Sequence, residues 1–261
     1  MQKQPPLHPA IERFTADAMA EPSVRAVYVF GSVAEGTSIA SSDIDLFVVV
    51  RGDLDADAAR LREIAGGVEG PPLDLVVLSE GELRRDGHFR LERASRLISG
   101  DDIRPELPPT TLDTFIRRYS EAPLAYMSIL RAGRSIAAPL YYPDPSGSYF
   151  GYDSRALPPA GVSTHNIKGL VALICWISTL RLVREKSIMA ASKSESVSAY
   201  AAEISDGWTS YVEDIYRLGH DRWHYLVPDD SSDQELLRDL CERTLSFEND
   251  YLARYGTAPT A

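Results

Sequence analysis

Hydrophobic positions fall into two regimes along the chain. In the first hundred residues they come as short β-branched runs, and beyond residue 111 they recur every three or four positions. The runs VRAVYVF (24–30), IDLFVVV (44–50) and LDLVVLS (73–79) predict three strands. The second is almost continuously apolar, which predicts burial on both faces. Residues 8–21 predict a helix before the first strand. The stretch 53–68 predicts another between the second and third strands, because it opens with acids and ends at Gly66 and Gly67. Residues 1–104 therefore read as a small α/β domain.

Pro105, Pro108 and Pro109 mark residues 105–112 as a stiff linker. Residues 113–261 read as helical. Helices are expected over 111–134 with a break before Pro123, over 165–186, over 192–218 and over 231–255. Ser232 and Glu235 have capping-box spacing for the last of these. Residues 138–164 carry Tyr141, Tyr142, Tyr149, Phe150 and Tyr152 among prolines and glycines. Such a loop either packs its rings back onto the helices or turns them to a ligand.

Composition narrows the partners. The chain has 261 residues and a formal net charge of −11, and both halves are acidic. It carries no basic stripe suited to nucleic acid, but it suits a cationic small molecule. Glu203, Asp206, Glu213 and Asp214 read either as a solvated helix face or as acids lining a cleft. Cys175 and Cys241 are too few for a disulfide framework and sit in apolar stretches, as buried thiols do. His220 and His224 flank Trp223 in an expected surface loop, and no histidine has metal-ligand spacing. No run approaches the ~20 apolar residues of a membrane span. The N-terminus MQKQPPLHPA lacks a signal-peptide core. The expected setting is cytoplasmic, with no membrane partner.

The chemistry concentrates in VYVFGSVAEGTSIASSDIDLFVVV, residues 27–50. The first strand ends in Gly31-Ser32, and Asp43 and Asp45 open the second. Residues i and i+2 of a strand share a face, so the two carboxylates project together while Ile44 and Leu46 enter the core. Paired carboxylates repel unless a cation lies between them, and oxygen-only ligands suit Mg²⁺. A glycine after a strand permits a tight turn, and the amides and the Ser32 hydroxyl that follow can hold phosphate oxygens. Together these features point to a nucleoside triphosphate bound with its metal.

This pattern, carried by Gly31, Ser32, Ala34, Gly36, Ser42, Asp43, Ile44, Asp45 and Leu46, resembles the nucleotidyltransferase superfamily related to polymerase beta. The resemblance implies an α+β fold: a small N-terminal α/β domain with a short mixed sheet, then an all-helical C-terminal domain. It implies a third carboxylate on a later strand, for which Asp74 is the natural candidate as catalytic base beside the substrate, with Glu69 as the fallback. An Asp inside an apolar run is costly to bury without a cation or hydrogen bonds, which agrees with such a role. At the scale of the whole chain the sequence looks like the aminoglycoside adenylyltransferases that act on streptomycin and spectinomycin. The stretches 165–186 and 192–203 are similar to their aromatic-containing helix and the helix start that follows it. That resemblance places Trp176 near the drug and Lys193 on the triphosphate.

The function expected from these observations is Mg²⁺-dependent transfer of AMP from ATP to a hydroxyl of an aminoglycoside or aminocyclitol, inactivating the antibiotic. The alternative is a nucleotidyltransferase-fold antitoxin or regulator acting on a protein partner. Such modules are usually shorter, and a dedicated helical domain with an aromatic loop fits a small-molecule acceptor better.

Overall fold

The structure, a computed structural model, describes residues 7–40, 42–157 and 165–256. By its internal contacts the chain divides into two units, residues 1–111 and 112–261.

The first unit is built on a four-stranded sheet of order β3-β2-β1-β4, formed by β1 (Val24–Phe30), β2 (Ile44–Val50), β3 (Leu73–Ser79) and β4 (Arg96–Gly100). β1 runs antiparallel to β2 and β4, and β2 runs parallel to β3. The mixed sheet is the one the resemblance implied, and the bounds of β1, β2 and β3 follow the apolar runs. β2 is buried on both faces, as its continuous pattern requires. Ile44, Leu46, Val48 and Val50 pack with α1 (Pro9–Met19) and α3 (Leu54–Gly66). Phe47 and Val49 pack on the opposite face with Leu83 of α4 (Glu80–Asp86) and Leu91 of α5 (Phe89–Ala94). α2 (Gly31–Glu35) is a single turn between β1 and β2.

α4, α5 and β4 carry no sequence pattern strong enough to announce them. β4 is five residues long at a sheet edge, and register with β1 makes it a strand. Pro105 lies in a 3₁₀ turn, Arg104–Glu106. Glu106 accepts hydrogen bonds from Arg25, at 2.9 Å, and from Arg84. The Tyr28 hydroxyl accepts from the Ile103 amide at 2.9 Å, and burial pushes its pKa up to about 12.

The second unit is helical: α6 (Leu112–Tyr119), α7 (Ala122–Leu130), α8 (Lys168–Lys186), α9 (Lys193–Ala199), α10 (Thr209–Tyr216) and α11 (Ser231–Tyr255). The break before Pro123 is present, with Pro123 in the first turn of α7. The helix expected over 192–218 is not continuous. A π turn, Tyr200–Ile204, ends at Ser205 in the left-handed region (φ 47°), and a second, Arg217–Arg222, follows α10. α11 has the expected bounds, but the cap is Asp230 and not Ser232. The Asp230 carboxylate accepts from the amides of Ser232 and Asp233, which leaves Ser232 inside the helix.

Buried charge ties this unit together. Arg131 donates two hydrogen bonds to Glu248 (2.8 and 2.7 Å), and the Tyr152 hydroxyl donates to the same carboxylate at 2.5 Å. Within the described part of the 138–164 loop, Tyr152 is thus buried and Tyr142 stacks on Phe150, while Tyr141 is 75% exposed. Residues 158–164 lie outside the described residues. Asp206 pairs with the buried Arg181 at 2.9 Å, and Asp214 pairs with Arg217 at 2.6 Å, so these two acids are bound within the unit. The expected surface loop around Trp223 is packed instead. His220 and Trp223 are buried, and the indole N–H donates to Asp233 at 3.1 Å. Cys175 and Cys241 are buried free thiols. Among the described residues no helix is long and apolar enough to cross a membrane.

Candidate active site

Three strand ends meet at one end of the first unit's sheet. Register sets Phe30 opposite Asp45 and Asp45 opposite Asp74. The odd positions of β2 share a face with Asp45, and its even positions enter the core against α1 and α3. Asp43 stands one step outside β2. The turn that delivers it is closed by reciprocal bonds, from the Ile39 amide to the Ser42 hydroxyl (3.0 Å) and from the Ser42 amide to the Ile39 carbonyl (2.9 Å). The Ile44 amide donates to Pro72 O at 3.0 Å, which extends the parallel pairing back to where Asp43 begins.

Asp43, Asp45 and Asp74 each offer a carboxylate oxygen, and these oxygens lie within 4.8 Å of one another. The first two are half-buried and Asp74 is exposed. The cost of burial therefore does not explain Asp74. β3 is an edge strand, and position 74 sits at its opening, where the apolar run begins and solvent still reaches. Pairing with Asp45, and not desolvation, puts it in the site. Glu69 lies in the exposed turn before β3.

Behind the carboxylates, Phe30 and Phe47 stack at 3.8 Å, and the buried His88 meets Phe47 edge-on at 4.9 Å. In front of them the chain reverses at Gly31 with φ 64°. A Cβ on Gly31 would stand 2.2 Å from Oδ2 of Asp45, so the turn comes closer to the carboxylate than any side chain permits. α2 closes at Gly36 (φ 73°), whose amide donates to Ser32 O, as does that of Thr37 at 2.9 Å. Three carboxylates in oxygen-only array are the donor set a hard dication takes, with water or phosphate completing its shell.

The structure thus brings Gly31, Ser32, Asp43, Asp45 and Asp74 to one sheet end. Lys193 and Trp176 belong to the second unit. Lys193 opens α9; its ammonium lies 5.4 Å from the centre of the Tyr225 ring and donates to the Tyr225 hydroxyl at 3.4 Å. Trp176 is the half-buried residue in a stretch of α8, Gly169–Val183, that is otherwise buried. Its ring lies 5.3 Å from Tyr119, which meets Phe115 at 4.7 Å. Sequence reasoning missed Tyr225, Tyr119 and the Phe30–Phe47–His88 stack. Spacing offers no signal for Lys193–Tyr225, Trp176–Tyr119 or Phe30–Phe47–His88, since the partners in each are distant in sequence.

Residues 14–85 match the family model described as Polymerase beta, Nucleotidyltransferase, an interval that holds all five residues at the sheet end. The first unit carries a nucleotidyltransferase domain of this type. Over 94% of this chain and 97% of the other, the fold is similar to the crystal structure of spectinomycin adenyltransferase AAD(9) from Enterococcus faecialis with ATP and spectinomycin (TM-score 0.50, 15% identity). A crystal structure described as a nucleotidyltransferase candidate, from Sulfolobus solfataricus, aligns with 38% of this chain and 95% of its own length (TM-score 0.26, 23% identity). No curated protein matches the chain.

Proposed function

We propose that the protein transfers AMP from ATP to a hydroxyl of an aminoglycoside or aminocyclitol antibiotic, with Mg²⁺ as cofactor. The observation that carries this reading is the Asp43–Asp45–Asp74 cluster, packed against the Gly31 turn in a nucleotidyltransferase domain. The acceptor class is supported by the whole-length likeness to an enzyme whose structure holds ATP and spectinomycin, and by the net charge of −11, which suits a polycation.

In this reading Asp43 and Asp45 hold Mg²⁺. When bound, the ion neutralises triphosphate charge and the charge that develops on the leaving pyrophosphate. The Ser32 hydroxyl and the amides after Gly31 orient the phosphates, and Lys193 contacts the triphosphate. Trp176 lies beside the acceptor. Asp74 takes the proton of the acceptor hydroxyl as its oxygen bonds to the α-phosphorus and the bond to the β-phosphate breaks. Catalysis is mainly alignment and charge compensation. The test is pyrophosphate release from ATP across a panel of aminoglycosides and aminocyclitols. Release that needs one of these acceptors and Mg²⁺ supports the reading. Its absence with every acceptor, alongside modification of a protein, overturns the acceptor class.

A further inference from the structure

We propose that His88 is a positioning residue: its ring braces the Phe47–Phe30 stack, and through that stack it holds the Gly31 turn and Asp45 in place for Mg²⁺. The proposal rests on the reading of Asp45 as a metal ligand, and it concerns what keeps that carboxylate in position.

The oxygens of Asp43, Asp45 and Asp74 lie within 4.8 Å of one another, so like-charge repulsion pushes each carboxylate outward before an ion arrives. Asp45 also faces a turn with no slack, because Gly31 is left-handed and a Cβ there would stand 2.2 Å from Oδ2. Both sides of this close approach lead to the same pair of rings. Phe30 is the residue before Gly31, and it lies opposite Asp45 in register. Phe47 follows Asp45 by two positions and shares its face of β2. The two rings stack at 3.8 Å with 13° between their planes. A shift of either ring therefore moves the glycine turn or the carboxylate.

His88 meets the Phe47 ring edge-on, at 4.9 Å and 71°. It is buried, and its own placement is fixed from several sides. Nδ1 accepts from the Leu91 amide at 3.2 Å and so caps α5. The His88 amide donates to Glu92 at 2.8 Å, and the Thr110 hydroxyl donates to the same carboxylate oxygen at 2.9 Å. The preceding Gly87 is left-handed (φ 63°), and a Cβ there would stand 2.3 Å from Pro108 O. Capping alone does not call for a histidine, since Ser, Asp or Asn supplies the acceptor with a shorter side chain. None of these carries a flat ring to Phe47. The imidazole does both, and its edge-to-face contact sets the orientation of the ring it meets. A carboxylate held by packed neighbours takes the ion without first being ordered.

The test is titration of ATP binding with Mg²⁺, without acceptor, in the full chain and its His88→Asn, His88→Phe and Phe47→Leu variants, with melting curves for each. His88→Asn keeps a capping acceptor and loses the ring. It is expected to raise the Mg²⁺ concentration for half-maximal binding about 2-fold to 10-fold. His88→Phe keeps a ring against Phe47 and loses the cap. It should melt earlier than the parent, with a Mg²⁺ midpoint within about 2-fold of the parent's. Phe47→Leu should raise the midpoint at least as much as His88→Asn does, and adding His88→Asn to it should raise the midpoint no further. A merely structural role would lower the melting temperature or the fraction of chain that binds and leave the midpoint alone. A parent-like midpoint in His88→Asn or in Phe47→Leu overturns the proposal. Equal rises in His88→Asn and His88→Phe, or additive rises in the double variant, also overturn it, because the ring contact is then not the route. If the parent binds ATP equally well without Mg²⁺, the reading of Asp45 as a metal ligand falls and this inference with it. If the parent needs Mg²⁺ and the variants match it, this inference alone fails.

Discussion

The carboxylate of Asp45 occupies the space that a Cβ on Gly31 would need: a methyl on the glycine would lie 2.2 Å from Oδ2. Gly31→Ala should therefore displace Asp45, which is proposed to hold the metal, as well as strain a left-handed turn. Turnover is expected to fall by roughly 10²-fold or more, since misplacement by about 1 Å has that effect. The strain should cost about 1–2 kcal/mol of stability. Gly36→Ala is the comparator. It has a similar φ of 73° but nothing within 4 Å of its Cβ. It should lose similar stability and far less activity, as paired melting curves and pyrophosphate release would reveal.

Asp43→Asn and Asp45→Asn should each abolish Mg²⁺-dependent ATP binding, because an amide supplies neither the charge nor the second acceptor the ion requires. Without metal the variants should melt no lower than the parent, since like-charge repulsion among the three carboxylates is relieved. Thermal shift with and without Mg·ATP reads both effects. A parent-like shift in either variant would remove that aspartate from the metal site.

Asp74 is exposed and sits beside Asp45, so Asp74→Asn separates two roles cleanly. As a general base its loss should lower turnover by roughly 10²–10⁴-fold with ATP affinity intact. As a third metal ligand its loss should weaken ATP binding along with turnover. Exposure makes a large effect on folding unexpected, and a variant with normal turnover would show Asp74 to be a bystander.

Glu248 is fully buried and receives hydrogen bonds from Arg131 and Tyr152. Glu248→Leu leaves Arg131 as an uncompensated buried cation and should cost about 3–5 kcal/mol. The double change Arg131→Met with Glu248→Leu should recover much of that loss. Urea denaturation of the three chains checks it, and equal losses in single and double variants would show that the pair is not the unit of stability.

Asp230 caps α11, and its carboxyl is held below the usual value of 3.8, first by the Ser232 hydroxyl and then by the Asp233 and Ser232 amides. A folded pKa below the unfolded one means the cap's contribution is fully present above the unfolded value. It is lost as pH falls through the depressed folded value. Stability should therefore decline below about pH 4, and Asp230→Asn, which still caps, should flatten that part of the acid limb in melts from pH 6 to pH 2.

The sequence by itself determined β1, β2 and β3, the parity that sends Asp43 and Asp45 to one face, and the full extent of α11. In each case neighbouring residues carry the information: alternation within a strand, or apolar recurrence along a helix. Tertiary structure decided what depends on distant partners. Register set Asp74 beside Asp45 and made β4 a strand. The Asp230 cap displaced the Ser232 box because its carboxylate reaches the Ser232 and Asp233 amides of the first helical turn. The π turns broke the helix expected over 192–218, where Arg181 takes Asp206 and Gly219 admits Val171. The His88 ring against Phe47 has no trace in spacing or composition, because the contact joins the start of α5 to β2 and neither segment encodes it alone.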